Sequence, residues 1–165
     1  MVPVTQDAFR QAMAKVCGSV NLITTSGEAG RGGFIATAMC SVTDDPPTLL
    51  VCMNQKSQQC DTFIRNGCFC VNVLREEDQE LARVFSGRVA VMDDRYAAAD
   101  WQVLNTGAPV LSSAIAACDC VLSDRYEIGT HHILIGHIVA HRVQDGGRSL
   151  LYFDRQFGSF AASPA

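Results

Sequence analysis

GGFIATAMCSVTDDPP, residues 32–47, begins as an apolar strand, continues into small and hydroxylated residues, and ends at an Asp-Pro-Pro sequence. The two prolines fix φ and bias Asp45 towards extended geometry, so the strand must end in a defined turn. Small side chains let a ligand lie directly against the main chain, and Thr37, Ser41 and Thr43 add hydroxyls. The alternative is that these small residues merely allow another strand or helix to pack closely.

The composition predicts a single globular domain over residues 1–165. Of the 165 residues, 48% are hydrophobic and 18% are charged, which is typical of a chain with a packed core. This hydrophobic share is generous for a small monomer, so we expect a homodimer with a buried interface.

Charge and targeting features exclude several functional classes. The net charge is −4 and no block of Lys and Arg occurs, which argues against nucleic-acid binding. No apolar run approaches 18 residues and the first ten residues lack a signal-peptide pattern, so we expect no membrane span and a cytoplasmic location. The eight cysteines then indicate free thiols in a reducing compartment.

Hydrophobic periodicity predicts short strands with a few helices. Thr5 is suited to cap a helix that ends at Gly18, and further helices are expected at residues 57–66 and 76–86. Residues 87–107 are irregular, with a helical turn near residues 95–99. Predicted strands cover residues 19–25, the opening segment, 48–53, 68–74, 114–126, 131–142 and 150–153. This pattern indicates a mainly β protein, a barrel with flanking helices.

Two segments could bind a phosphate. Asn54 and Ser57 follow a strand and open a predicted helix, whose N-terminal amides suit an anion. Ser57 could equally be a plain N-cap. Arg88 follows Gly87 at the end of the next helix, and it is either a phosphate partner at the same site or a solvated charge.

His131 and His132 open a strand, and adjacent strand residues point to opposite faces. One imidazole is therefore expected to face a cleft, where it could orient a ring or move a proton, or to be a satisfied structural histidine. No metal site is expected, because the Cys-x-Cys pairs at residues 68–70 and 118–120 lack the spacing of structural zinc sites. G-x-S-x-G, G-x-G-x-x-G and Walker A patterns are missing from the sequence, so a dinucleotide would need a different fold from the Rossmann fold.

The ordered motifs between Phe9 and Phe157 resemble the flavin reductase-like family of FMN-binding split barrels. These proteins are short-chain NAD(P)H:flavin oxidoreductases that serve two-component monooxygenases. The matching segments are FRQAM at 9–13, VNLITT at 20–25, the block at 36–47, LLVC at 49–52 with Asn54 and Ser57, CVNVL at 70–74, PVL at 109–111, CDC at 118–120, GTH at 129–131 and LYFDR at 151–155.

The resemblance implies a Greek-key split β-barrel, a homodimer, FMN or FAD as flavin, NADH or NADPH as hydride donor, and an oxygenase component as a possible partner. An alternative within the family is a flavoprotein that uses bound flavin to reduce another acceptor such as a corrin. His131 is implied as the catalytic residue on the nicotinamide side. The implied flavin- and nucleotide-binding residues are Ala36, Thr37, Ala38, Cys40, Ser41, Asn54, Ser57, Arg88, Tyr152 and Arg155. Thr130, where Asp is commoner, and Phe157, where Tyr is, depart from the family pattern.

Overall fold

Two residues, Thr37 and Ala38, separate strand β3 (Gly32–Ala36) from strand β4 (Met39–Asp44) in the computed structural model, which describes residues 3–160. The two strands nevertheless lie at opposite edges of a seven-stranded antiparallel sheet, in the order β3-β2-β6-β9-β10-β5-β4. A residue spans at most about 3.6 Å of extended chain. The two edges must therefore approach each other, and the sheet curls into a barrel that is split at Thr37–Ala38.

The other elements surround this barrel. Its further strands are β2 (Asn21–Thr25), β5 (Pro47–Asn54), β6 (Cys68–Val73), β9 (Ala116–Ile128) and β10 (His131–Val143). Two smaller sheets contain β1 (Gly18–Ser19), β11 (Leu150–Phe153) and β12 (Gln156–Ser159), and β7 (Trp101–Val103) and β8 (Pro109–Leu111). The helices are α1 (Gln6–Ala14), α2 (Cys60–Asn66), α3 (Gln79–Arg83) and α4 (Met92–Tyr96).

The mainly β class and the split barrel predicted from the sequence are confirmed. The prediction of one strand through the opening segment was wrong, because the chain leaves one sheet edge after Ala36 and joins the other at Met39. The expected turn at the prolines is confirmed, since β4 ends at Asp44 and β5 begins at Pro47. Strand β12 was not predicted.

The helix predictions needed four corrections, the first of which is that α1 ends at Ala14 and not at Gly18, which lies in β1. Thr5 caps α1 as expected, because its hydroxyl accepts a hydrogen bond from the Ala8 N–H at 3.2 Å. The helix expected from Ser57 begins at Cys60, and Ser57 instead lies in the preceding turn, where its hydroxyl accepts from the Gln59 N–H. The helix expected over 76–86 is divided into a 3-10 turn, α3 and a wide π-type turn. The segment 87–107 contains α4 and β7 and is not irregular throughout.

Strand β2 separates two hydrophobic clusters, because its consecutive residues Leu22 and Ile23 are both fully buried and point to opposite faces. On the Ile23 side, Phe63 from α2 and Phe69 from β6 are buried. On the Leu22 side, the cluster includes Phe85 from the turn after α3. The position of that turn, which borders the barrel opening, is thus fixed by core packing.

Gly136 in β10 allows the Phe69 ring to pack closely against the barrel wall, because it has no side chain. A methyl group at Gly136 would lie 2.5 Å from the Phe69 ring and 2.9 Å from the Cys120 Cβ. We expect Gly136→Ala to lower the free energy of unfolding by about 1–3 kcal/mol through overpacking.

Urea unfolding of the purified variants measures this change. Gly158→Ala in β12 is the matched control, because no atom lies within 4 Å of the added methyl. Equal stability of the two variants would contradict the close packing at Gly136.

Candidate functional site

The opening of the barrel is lined by main chain with small side chains. The Ala36 carbonyl accepts a hydrogen bond from the buried Asn21 side chain at 3.3 Å, and the Ala38 carbonyl accepts from the Cys52 N–H at 3.0 Å. Thr37 and Ala38 themselves are exposed. The segment is therefore fixed at both ends while its surface stays accessible to a planar ligand.

A first cavity of about 540 Å³ lies along this segment. It contains six of the residues that the sequence proposed: Ala36, Thr37, Ala38, Asn54, Ser57 and His131. Small side chains line one part of it, and polar groups from the β5–α2 turn line another. This combination of a few polar groups with apolar walls is typical of small-molecule sites.

Asn54 and His131 are neighbours across the β5–β10 ladder. The Asn54 side-chain oxygen accepts from the Lys56 N–H at 2.9 Å, which leaves its amide N–H groups for a ligand. The His131 Nδ1 lies 2.9 Å from the Thr130 hydroxyl, and this contact fixes the ring and leaves Nε2 for other partners.

Arg95 also lines the first cavity, although the sequence analysis did not propose it. Its Nε donates to the Val89 carbonyl at 2.6 Å, and its neighbour Tyr96 is buried and donates its hydroxyl to the Gly32 carbonyl at 2.8 Å. These contacts hold α4 against β3 and bring the guanidinium to the cavity that contains Ser57. No periodic pattern in residues 87–107 signalled this position.

A second cavity, of about 860 Å³, adjoins the first and shares Ile35, Thr37 and Ser86 with it. Its lining consists of cationic and aromatic side chains, whereas the first cavity is lined in part by small ones. The residues that provide this character are Arg83, Arg88, Arg155, Tyr152 and Phe157. The Arg83 guanidinium lies over the Phe157 ring at 5.6 Å, and Tyr152 meets Phe157 edge to face at 5.4 Å.

The structure divides the residues that the resemblance grouped together. Arg88, expected beside Asn54 and Ser57, lines the second cavity. His131, expected with Tyr152 and Arg155, lines the first. Cys40 and Ser41, expected at the ligand's polar edge, are exposed on the edge strand β4 and lie outside these two cavities.

His132 faces the opposite side of β10 from His131, as the strand geometry predicted. It is 7% exposed, and its Nδ1 lies 3.8 Å from the Glu127 carboxylate, beyond hydrogen-bond distance. Within residues 3–160, no cluster of three or more His, Cys, Asp or Glu is placed to hold a metal ion. The same residues contain no helix long and apolar enough to cross a membrane.

Cys52 is the cysteine that lines the first cavity. Burial raises the pKa of Cys52, and the nearby Cys40 raises it further. A thiol with a raised pKa is protonated at neutral pH and is a poor nucleophile. Cys52 is therefore a lining residue of the cavity and not a nucleophile.

A family model described as "Flavin reductase like domain" matches residues 13–161. The chain belongs to this flavin reductase family. An FMN reductase (NADH) RutF from Pseudomonas syringae pv. syringae is 49% identical over 154 residues, which cover 93% of this chain and 86% of that protein. The family resemblance deduced from the sequence motifs is thus confirmed.

Solved structures agree with this flavin reductase assignment. A candidate flavin reductase from Haemophilus somnus superposes with a TM-score of 0.92 at 38% identity, over 95% of this chain and all of that one. Nitrilotriacetate monooxygenase component B from Mycobacterium thermoresistibile superposes with a TM-score of 0.89 at 27% identity, over 97% and 90% of the two chains.

Proposed function

We propose that the protein is an NADH-dependent FMN reductase that supplies reduced flavin to an oxygenase component. The observation that carries the proposal is the meeting of two unlike cavities at Ile35, Thr37 and Ser86. Hydride transfer needs two planar rings in contact, each held by its own site. The relative from Pseudomonas syringae, whose name specifies FMN and NADH, supports this choice of substrates.

The first cavity suits the flavin on two counts. Small side chains at Ala36 and Ala38 leave main chain exposed for the isoalloxazine ring, and a larger side chain there would fill the space. Asn54, Ser57 and Arg95 supply the donors that a terminal phosphate prefers, with Arg95 as the charged partner. Cys40 and Ser41 lie in β4 outside the cavity, so they would contact the flavin only if the ring extended to the edge of that strand.

The second cavity suits the nicotinamide dinucleotide. Arg155 matches the negative charge of a pyrophosphate, and Tyr152 provides an aromatic surface for a ring. The nicotinamide would then meet the flavin near Thr37, which lines both cavities. Hydride would pass there from nicotinamide C4 to flavin N5, giving NAD⁺ and reduced flavin.

Positioning accounts for most of the catalysis under this proposal. Holding two reactants in a reactive geometry contributes about 7–11 kcal/mol in favourable cases. His131 is proposed as the catalytic residue, since its free Nε2 can contact the rings or move a proton at the rim of the first cavity.

The activity has a direct test. Purified protein mixed with NADH and FMN should oxidise NADH catalytically, which is followed by loss of absorbance at 340 nm. Heat-denatured protein is the control. A protein that turns over neither NADH nor NADPH with FMN or FAD would refute the proposed function.

Two substitutions separate the proposed roles in the first cavity. His131→Ala is expected to lower kcat about 100- to 10,000-fold with FMN affinity changed little, because positioned proton transfer contributes on that order. Asn54→Ala is expected to raise the Kd for FMN, since a donor to the phosphate end is lost. Fluorescence titration with FMN and steady-state kinetics measure both effects. Loss of FMN binding in His131→Ala would show that the histidine holds the flavin instead.

We further propose a cytoplasmic homodimer. All eight cysteines are free thiols, which fits a reducing compartment. Apolar side chains are exposed on α1 and on strands β4 and β9. They include Phe9, Met13, Val42, Tyr126 and Ile128.

Light scattering after size-exclusion chromatography should give about twice the 17.8 kDa chain mass at micromolar concentration. A mass of one chain over the whole concentration range would contradict the dimer. Tyr126→Glu should shift the equilibrium towards the monomer, and Lys56→Glu, at an exposed polar position, should not.

A further inference from the structure

The arginines of the second cavity are not equally available to a ligand. Glu80 on α3 contacts two of them: its Oε2 lies 3.1 Å from Arg83, and its Oε1 lies 2.5 Å from Arg88. Arg155, in the turn between β11 and β12, makes no ion pair with a carboxylate of residues 3–160. The carboxylate therefore partly neutralises one side of the cavity and leaves the other side cationic.

Glu80 remains ionised at neutral pH. Its pKa is lowered, chiefly by the hydrogen bond from Arg83 and also by the hydrogen bond and charge of Arg88. Both of its oxygens are engaged, one by each arginine. A ligand phosphate that approaches Arg83 or Arg88 must displace this carboxylate or tolerate its repulsion.

This arrangement discriminates between ligands by charge. NADH and NADPH share a pyrophosphate, and NADPH carries in addition a phosphate monoester on the adenosine ribose, with about −1.5 to −2 charge at pH 7. Arg155 can serve the shared pyrophosphate in both cases. The additional phosphate would need further guanidinium groups, and those nearest in the cavity are already paired with Glu80.

We infer that Glu80 is a specificity-determining residue that favours NADH over NADPH by holding Arg83 and Arg88. This inference rests on the proposed function. Glu80 acts through the two arginines and does not touch the reacting rings, so it is a positioning residue. Its effect should lie in substrate binding and leave hydride transfer unchanged.

The test compares Glu80→Gln with Glu77→Gln. Both changes remove one exposed carboxylate from the same acidic segment, but Glu77 makes no ion pair with the arginines of the cavity. In Glu80→Gln the ratio of kcat/KM for NADPH to that for NADH should rise about tenfold, through KM, because Arg83 and Arg88 become free to form a charge-assisted hydrogen bond with the additional phosphate. In Glu77→Gln the ratio should stay within about twofold of the wild type.

A second pair of variants tests whether the change in the NADPH-to-NADH ratio acts through Arg88. Arg88→Gln in the wild-type background should change the NADPH-to-NADH ratio little, because Glu80 already engages Arg88. The same change in the Glu80→Gln background should abolish much of the gain. A ratio that rises equally in Glu77→Gln, or that does not change in Glu80→Gln, would overturn the inference.

Binding without turnover separates this inference from the proposed function. ADP-ribose and its 2′-phosphate serve as probes in isothermal titration calorimetry, with the wild type and Glu80→Gln. The 2′-phosphate form should gain about tenfold in affinity relative to ADP-ribose in the variant, following the same charge-assisted contact. This gain in a protein with no reductase activity would refute the proposed reaction and retain charge selection by Glu80, whereas active protein without the gain would refute the inference alone.

Discussion

The short connection between β3 and β4 is the constraint on which the rest of the structure depends. Two residues must carry the chain from one edge of a seven-stranded sheet to the other. This is possible only when the edges lie side by side, so the connection closes the barrel and leaves a gap in its hydrogen-bonded wall. The proposed flavin-binding segment, Thr37–Ala38, lies in that gap.

Buried polar contacts join the strands that lead to the gap. Asn72 in β6 donates to the Leu22 carbonyl at 3.0 Å and to Thr24, and its side-chain oxygen accepts from the Leu111 N–H at 2.8 Å. A buried amide satisfied in this way ties three strands into one arrangement. Asn21, on the same strand as Leu22, extends the arrangement to the Ala36 carbonyl at the edge of the gap.

Much of the fold could be predicted from the sequence, because the apolar strands and the helix-capping Thr5 follow local rules. The break at Thr37 could not, since it contains neither Gly nor Pro and depends on the closure of the whole sheet. The position of Arg88 depends on Gly87. The φ of 105° at Gly87 changes the chain direction after the helix, and Arg88 then lines the second cavity. The position of Arg95 depends on the hydrogen bond from Tyr96 to Gly32, a contact between residues far apart in the chain.

The two cavities have three lining residues in common, Ile35, Thr37 and Ser86. Under the proposed assignment of one substrate to each cavity, substitutions in α3 or in the β11–β12 turn would alter the contacts of the nicotinamide and leave those of the flavin intact. Natural variation and laboratory engineering could then change the electron donor and the electron acceptor independently. Ile35, Thr37 and Ser86 border both cavities, so a change at one of them would affect both substrates.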